Sequence, residues 1–130
     1  MHWLSNGRQP NGMVIRMQGF DRGLFGGNFH THNWLPLLPG VDVVATSTGR
    51  DYVKAMRHAV RQARAGRVVM VVDATCLLSL RDEAFLTSYP AEGDELAFDA
   101  VLERRDDSDA VRRVACVTWG TGVVAALRAR

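Results

Sequence analysis

The stretch VDVVATSTGRDYVKAMRHAVRQARAGRVVMVVD, Val41 to Asp73, decides the fold. It begins with the β-branched run Val41–Ala45, which reads as a buried strand. Thr48 then stands as a helix N-cap, with Asp51 at the position where a capping box places its acid. Val53, Met56, Val60 and Ala63 recur at steps of three and four, so they predict one apolar helix face. Gly66 supplies the left-handed residue that ends the helix. Val68–Val72 (VVMVV) is apolar at every position, as a parallel strand covered on both faces must be. Strand, helix and strand at this spacing predict a right-handed βαβ unit, hence an α/β protein built on a parallel sheet. Asp73 ends the second strand at its carboxyl edge, where open α/β sheets place ligands; capping the next turn is an equal alternative. The opposite helix face carries Lys54, Arg57, Arg61 and Arg64, read as a solvated stripe suited to the helix dipole rather than as an anion site.

On the amino-terminal side, Met13–Met17 (MVIRM) predicts another strand. Between it and Val41 lies Phe20 to Gly40, a long loop with about one turn of helix. Loops beyond about 12–15 residues inside a compact domain tend to carry function. This one contains GGNFHTHNWLPLLPG, Gly26 to Gly40, with His30 and His32 spaced one apart. As zinc ligands the two histidines lack a third and fourth partner at useful spacing, so no metal site is expected. Asn28 and Asn33 suit turn chemistry, and Arg22 reads as a surface arginine. Gly26 and Gly27 permit positive φ or a close backbone approach.

On the carboxyl side, Ala74 to Asp109 changes character, with Tyr89-Pro90, an acidic glycine turn at Glu92–Glu95 and a charge run from Glu103 to Asp109. Leu96, Phe98, Ala100 and Leu102 alternate with other residues and predict an edge strand or an extended arm in an otherwise linker-like region. Val114–Thr118 (VACVT) predicts a further strand, followed by a turn at Trp119–Gly122 and the start of a helix from Val123. That last βα start cannot bury its apolar face alone, and the first strand has no neighbour before it. The chain therefore reads as a piece of a larger α/β protein.

The 130 residues make one modest domain, with 47% hydrophobic and 23% charged residues, an ordinary globular balance. A formal charge of +2 does not suggest nucleic acid as a partner. No apolar run reaches the ~18–20 residues of a membrane span. The polar, glycine-rich start MHWLSNGRQPNG lacks the pattern of a signal or transit peptide, so a cytoplasmic protein with no membrane partner is expected. Cys76 and Cys116 sit in apolar surroundings without a CxxC spacing and are expected to be buried free thiols. No GxGxxG or P-loop marks an independent phosphate binder.

The ordered set Gly26-Gly27, His30-Thr31-His32, Pro39-Gly40-Val41, Val43-Val44, Asp51-Tyr52 and Val68 to Asp73 resembles the pyrimidine-binding domain of transketolase-like enzymes. More narrowly, it resembles the beta subunit of thiamine-diphosphate-dependent 2-oxo-acid dehydrogenases. The likeness runs over residues 10 to 75 and resumes at Val114–Ala126, where VACVTWGTGVVAA is similar to the start of that family's C-terminal domain. The resemblance implies a partial parallel sheet with flanking helices: residues 1–88 as the later part of a pyrimidine-binding domain, 89–112 as linker or extended arm, and 113–130 as the first βα unit of the C-terminal domain. It implies decarboxylation of a 2-oxo acid on thiamine diphosphate, an oxidoreductase activity of the complete protein. The diphosphate and its divalent metal would sit on an alpha-type partner domain or subunit, within a homo-oligomer. By the same resemblance His30 is the catalytic candidate, Gly26, Gly27 and Phe29 border the cofactor, and Arg22, Asn28, His32 and Asn33 form the rim, with His32 where the family has glutamine. Pro36 interrupts the short helix usual there and predicts a reshaped rim. No residue matches the family's catalytic glutamate, so the chain alone is expected to be inactive, and a non-catalytic oligomerising or interaction module derived from the fold is the alternative.

Overall fold

The computed structural model of the chain describes residues 6, 8–19, 39–78, 88–98 and 115–129. Within them, β1 (Met13–Gln18), β2 (Val41–Ala45), α1 (Gly49–Arg64), β3 (Val68–Asp73), α2 (Thr75–Leu78) and α3 (Thr121–Arg128) follow in that order. The three strands form one parallel sheet in the order β1-β3-β2. Met13 and Val41 both pair with Val68, so the strands start level, and Gln18 and Asp73 finish together at the carboxyl edge.

β3 takes the central place because its sequence can be covered on both faces. Val69 and Val71 are fully buried and pack with Ala59 of α1, while Met70 and Val72, pointing to the opposite face, are buried as well. A strand with no polar position before Asp73 has no face to give to water. β1 and β2, each with one strand neighbour among the described residues, stay half-buried to exposed along their lengths.

α1 begins as its sequence predicts. Thr48 is in an extended conformation, its side chain accepts from the Asp51 backbone N–H at 3.1 Å, and its hydroxyl donates to the Asp51 carboxylate at 2.7 Å. The helix ends at Gly66, whose φ of +91° only glycine adopts without strain. A side chain there would also collide with Pro10, 2.4 Å from a Cβ. Gly12 is held more tightly, since a Cβ would lie 1.7 Å from the Ala63 carbonyl oxygen. These two glycines let the segment before β1 cross the end of α1 at backbone distance.

Four expectations need correction. The buried face of α1 is Ala55, His58 and Ala59, flanked by Tyr52 and Met56, whereas Val60 is exposed. Small alanines admit the helix close to the valines of β3, and that turns bulky Val60 outward. The basic face is not simply solvated, because residues 88–98 lie across it. Residues 115–119 form no strand, although the helix predicted after them is present. Both cysteines are exposed.

Candidate binding site at the carboxyl edge of the sheet

At the carboxyl edge Asp73 is buried at the end of β3. Its Oδ2 accepts from Arg16 Nε on neighbouring β1 at 2.7 Å. Side chains two apart on a strand share a face, so Asp73 stands on the α1 side with Val71, and Arg16, paired with Val71, stands there too. The carboxylate therefore binds across the sheet rather than capping the turn that follows. Its other oxygen, Oδ1, is buried and receives no hydrogen bond among the described residues, a position that costs about 1–3 kcal/mol. Arg16 is the reverse case: half of its side chain is exposed. The hydrogen bond it donates to Asp73, then the charge of Asp73, and then the nearby Tyr52 phenol hold the Arg16 guanidinium above its ordinary range. Tyr52 is in the second turn of α1 and also packs on the core, so the edge cluster is tied to the hydrophobic interior. Gly19 follows β1 at this edge and donates its N–H to the Asp73 carbonyl at 2.8 Å.

A second polar cluster holds residues 88–98 against α1. Arg57 Nη1 donates to the carbonyl oxygens of Ala91 and Asp94, and its guanidinium lies 5.7 Å from the Tyr89 ring centre. Arg50 Nη1 donates to Ser88 Oγ at 3.0 Å. Arg61 pairs with Glu95 at 2.6 Å, and Glu95 also meets His58 Nδ1 at 3.1 Å. The His58 ring stands edge-on to Phe98, with centres 4.6 Å apart, and Gln62 Nε2 lies 3.2 Å from its other nitrogen. The Leu96 N–H reaches the Lys54 carbonyl at 3.3 Å. These contacts tie residues 88–98 to α1 as a structural clasp; residues 94–98 form no strand, and 99–102 lie outside the described residues.

Arg22, Gly26, Gly27, Asn28, Phe29, His30, His32 and Asn33 fall outside the described residues. The chain leaves β1 at Gly19 on the carboxyl edge and re-enters the sheet through Gly40 at the amino end of β2. Because β3 lies between β1 and β2, that connection has to cross a strand, and parallel crossovers need about a dozen residues or more. Its length thus has a topological use in addition to any functional one. Arg16 and His58 are the site residues that sequence reading missed. An arginine at the centre of an apolar strand was the available signal for the first; His58 shares a helix face with nothing that marks it. Among the described residues no group of histidines, cysteines and carboxylates is arranged to hold a metal ion. No helix among them is long and apolar enough to cross a membrane. No protein-family model, curated protein or solved structure matches the chain.

Proposed function

We propose that this chain is part of a thiamine-diphosphate-dependent 2-oxo-acid dehydrogenase beta subunit, or of a fused equivalent, and contributes the later half of its pyrimidine-binding domain. The observation that carries the reading is the order of β2, α1 and β3, whose boundaries at 41–45, 49–64 and 68–73 coincide with the motifs that resemble the family. Support also comes from Gly19, which starts the histidine-bearing segment at the carboxyl edge, the side where α/β proteins bind ligands.

In this reading the cofactor, bound across an interface with an alpha-type domain that holds the diphosphate and divalent metal, supplies the electron sink. The chain's own residues position it: Gly26, Gly27 and Phe29 border the ring, while Arg22, Asn28, His32 and Asn33 form the rim. His30 gives or takes a proton beside the 2-oxo acid, work for which an imidazole is suited near neutral pH. No residue matches the family's catalytic glutamate, so activity needs a chain or segment that supplies one. The setting would be cytoplasmic and homo-oligomeric.

The test joins the chain to its native upstream coding region and an alpha-type partner, then measures thiamine-dependent release of carbon dioxide from 2-oxo acids. Turnover that His30→Ala lowers at least about a hundredfold, in line with the loss of a general acid–base group, is the expected result. A folded assembly that neither binds thiamine diphosphate nor turns over any 2-oxo acid overturns the reading.

A second reading, a non-catalytic interaction module, is favoured by the exposure of Val117 (90%) and Trp119 (60%) and by strands β1 and β2 that each have one neighbour among the described residues. A monodisperse dimer by light scattering, indifferent to added cofactor, is its signature; a monomer counts against it.

A further inference from the structure

We propose that the clasp of residues 88–98 is releasable, and that the face of α1 beneath it is a docking surface for an acidic turn on a partner chain. α1 carries Arg50, Lys54, Arg57, Arg61 and Arg64 at steps of four and three, a row along one helix face. The segment laid over it, Ser88 to Phe98, contains Glu92, Asp94 and Glu95 and no basic residue. The chain thus shows on itself what this face accepts. Recognition centres on Arg57, whose Nη1 donates to two carbonyl oxygens, those of Ala91 and Asp94. The two carbonyls converge because the turn is closed from within. Asp94 donates its N–H to the Ala91 carbonyl at 3.1 Å, the Ala91 N–H reaches Asp94 Oδ2 at 3.2 Å, and Gly93 takes a φ of +84°. A turn that arrives preformed loses little conformational freedom when a guanidinium seats it. Arg61 takes the Glu95 carboxylate at 2.6 Å, and Arg50 lies 4.0 Å from that of Asp94, so charge is matched on both sides of Arg57.

Release follows from how the clasp is held. The Arg61 side chain is 63% exposed and that of Arg50 38%, and ion pairs so exposed contribute little and are screened by salt. Pro90 is buried and Phe98 packs on the core, so these two seat the clasp, while Ala91, Glu92 and Gly93 between them are exposed. The sheet is held differently, by Val69 and Val71, which are fully buried. A segment tied down mainly by exposed polar contacts opens at lower free energy than the core beneath it. Once it lifts, the row of arginines is offered to an acidic turn of the same geometry. The surface lies on the outer face of α1 and does not depend on the thiamine reading.

The experiment uses the whole chain and a fluorescent peptide of residues 88–98. Glu95→Ala removes the carboxylate that Arg61 and His58 both meet and leaves the basic row intact. This variant should bind the peptide roughly tenfold more tightly than the wild type, the worth of about two exposed ion pairs. Added salt should weaken the binding. Replacing Glu92, Asp94 and Glu95 of the peptide by their amides should abolish it, as should Arg57→Ala in the Glu95→Ala chain. The wild type supplies a measurement that needs no variant. Its Leu96 N–H, which reaches the Lys54 carbonyl at 3.3 Å, should exchange with solvent faster than the amides of Val69 to Val72, and faster still at high salt. Peptide binding no tighter by Glu95→Ala than by the wild type, binding indifferent to Arg57 or to the three acids, or a Leu96 amide that exchanges only together with the sheet would each overturn the proposal.

Discussion

Val68–Val72 and the run from Cys116 to Trp119 both carry the β-branched and large apolar residues that favour strands, yet they end in opposite states. Val71 is fully buried at the centre of a parallel sheet, and Val117 is 90% exposed in a segment that pairs with no strand among the described residues. The difference lies in the neighbours. Among the described residues β3 has β1 and β2 on either side and α1 packed on one face, whereas 115–119 has only α3 after it. Strand propensity expresses the fit of a side chain to a pleated, half-buried surface, so it is realised only where that surface exists.

The sharpest way to break this comparison is to make the same change in both runs. Val71→Ala removes two methyl groups from the core and is expected to cost about 2 kcal/mol, with the transfer and cavity terms acting together. Val117→Ala should change stability by less than about 0.5 kcal/mol. Urea unfolding of the two variants checks the pair, and equal losses would mean that 115–119 is buried in solution. Next in size is the helix start. Thr48→Ala removes the side chain that accepts the Asp51 N–H and should cost about 1 kcal/mol by the same measurement.

The smallest effect is expected at Asp42, which accepts from Arg67 Nε and Nη2 at 2.6 Å each near the amino edge of the sheet. That hydrogen bonding, opposed by partial burial and reinforced by the charge of Arg67, holds the Asp42 carboxyl below its ordinary range. A carboxyl lowered on folding adds stability that is complete above the unfolded value near ~3.9 and is lost as pH falls through the folded value. Asp42→Asn should therefore flatten the acid side of the stability curve below about pH 4 and leave the neutral plateau little changed, since exposed pairs contribute little. A steeper acid limb in the variant would contradict the assignment.

Much of the fold was legible because its signals are local. The cap at Thr48, the stop at Gly66 and the apolar run of β3 each act within a few residues. The register of α1 was less legible, because the apolar spacing of Val53, Met56, Val60 and Ala63 weighs side-chain size and ignores how close a helix must come to its sheet. Ala55 and Ala59 carry the contact through being small. The clasp of residues 88–98 rests on Arg57 meeting backbone carbonyls, which leave no mark in a sequence. Of the candidate site, Asp73 was legible from its place at a strand end; Arg16 became a site residue only once β1 was set beside β3. The motifs around His30 belong to residues 20–38 and rest on the resemblance alone.

Hydrogen exchange resolved residue by residue tests most directly whether burial in this chain follows neighbours rather than composition. The amides of Val69 to Val72 should exchange only through unfolding of the sheet, and those of Cys116 to Trp119 at nearly the rate of an unstructured peptide. Protection of 116–119 comparable to β3 in the monomeric chain would contradict the account.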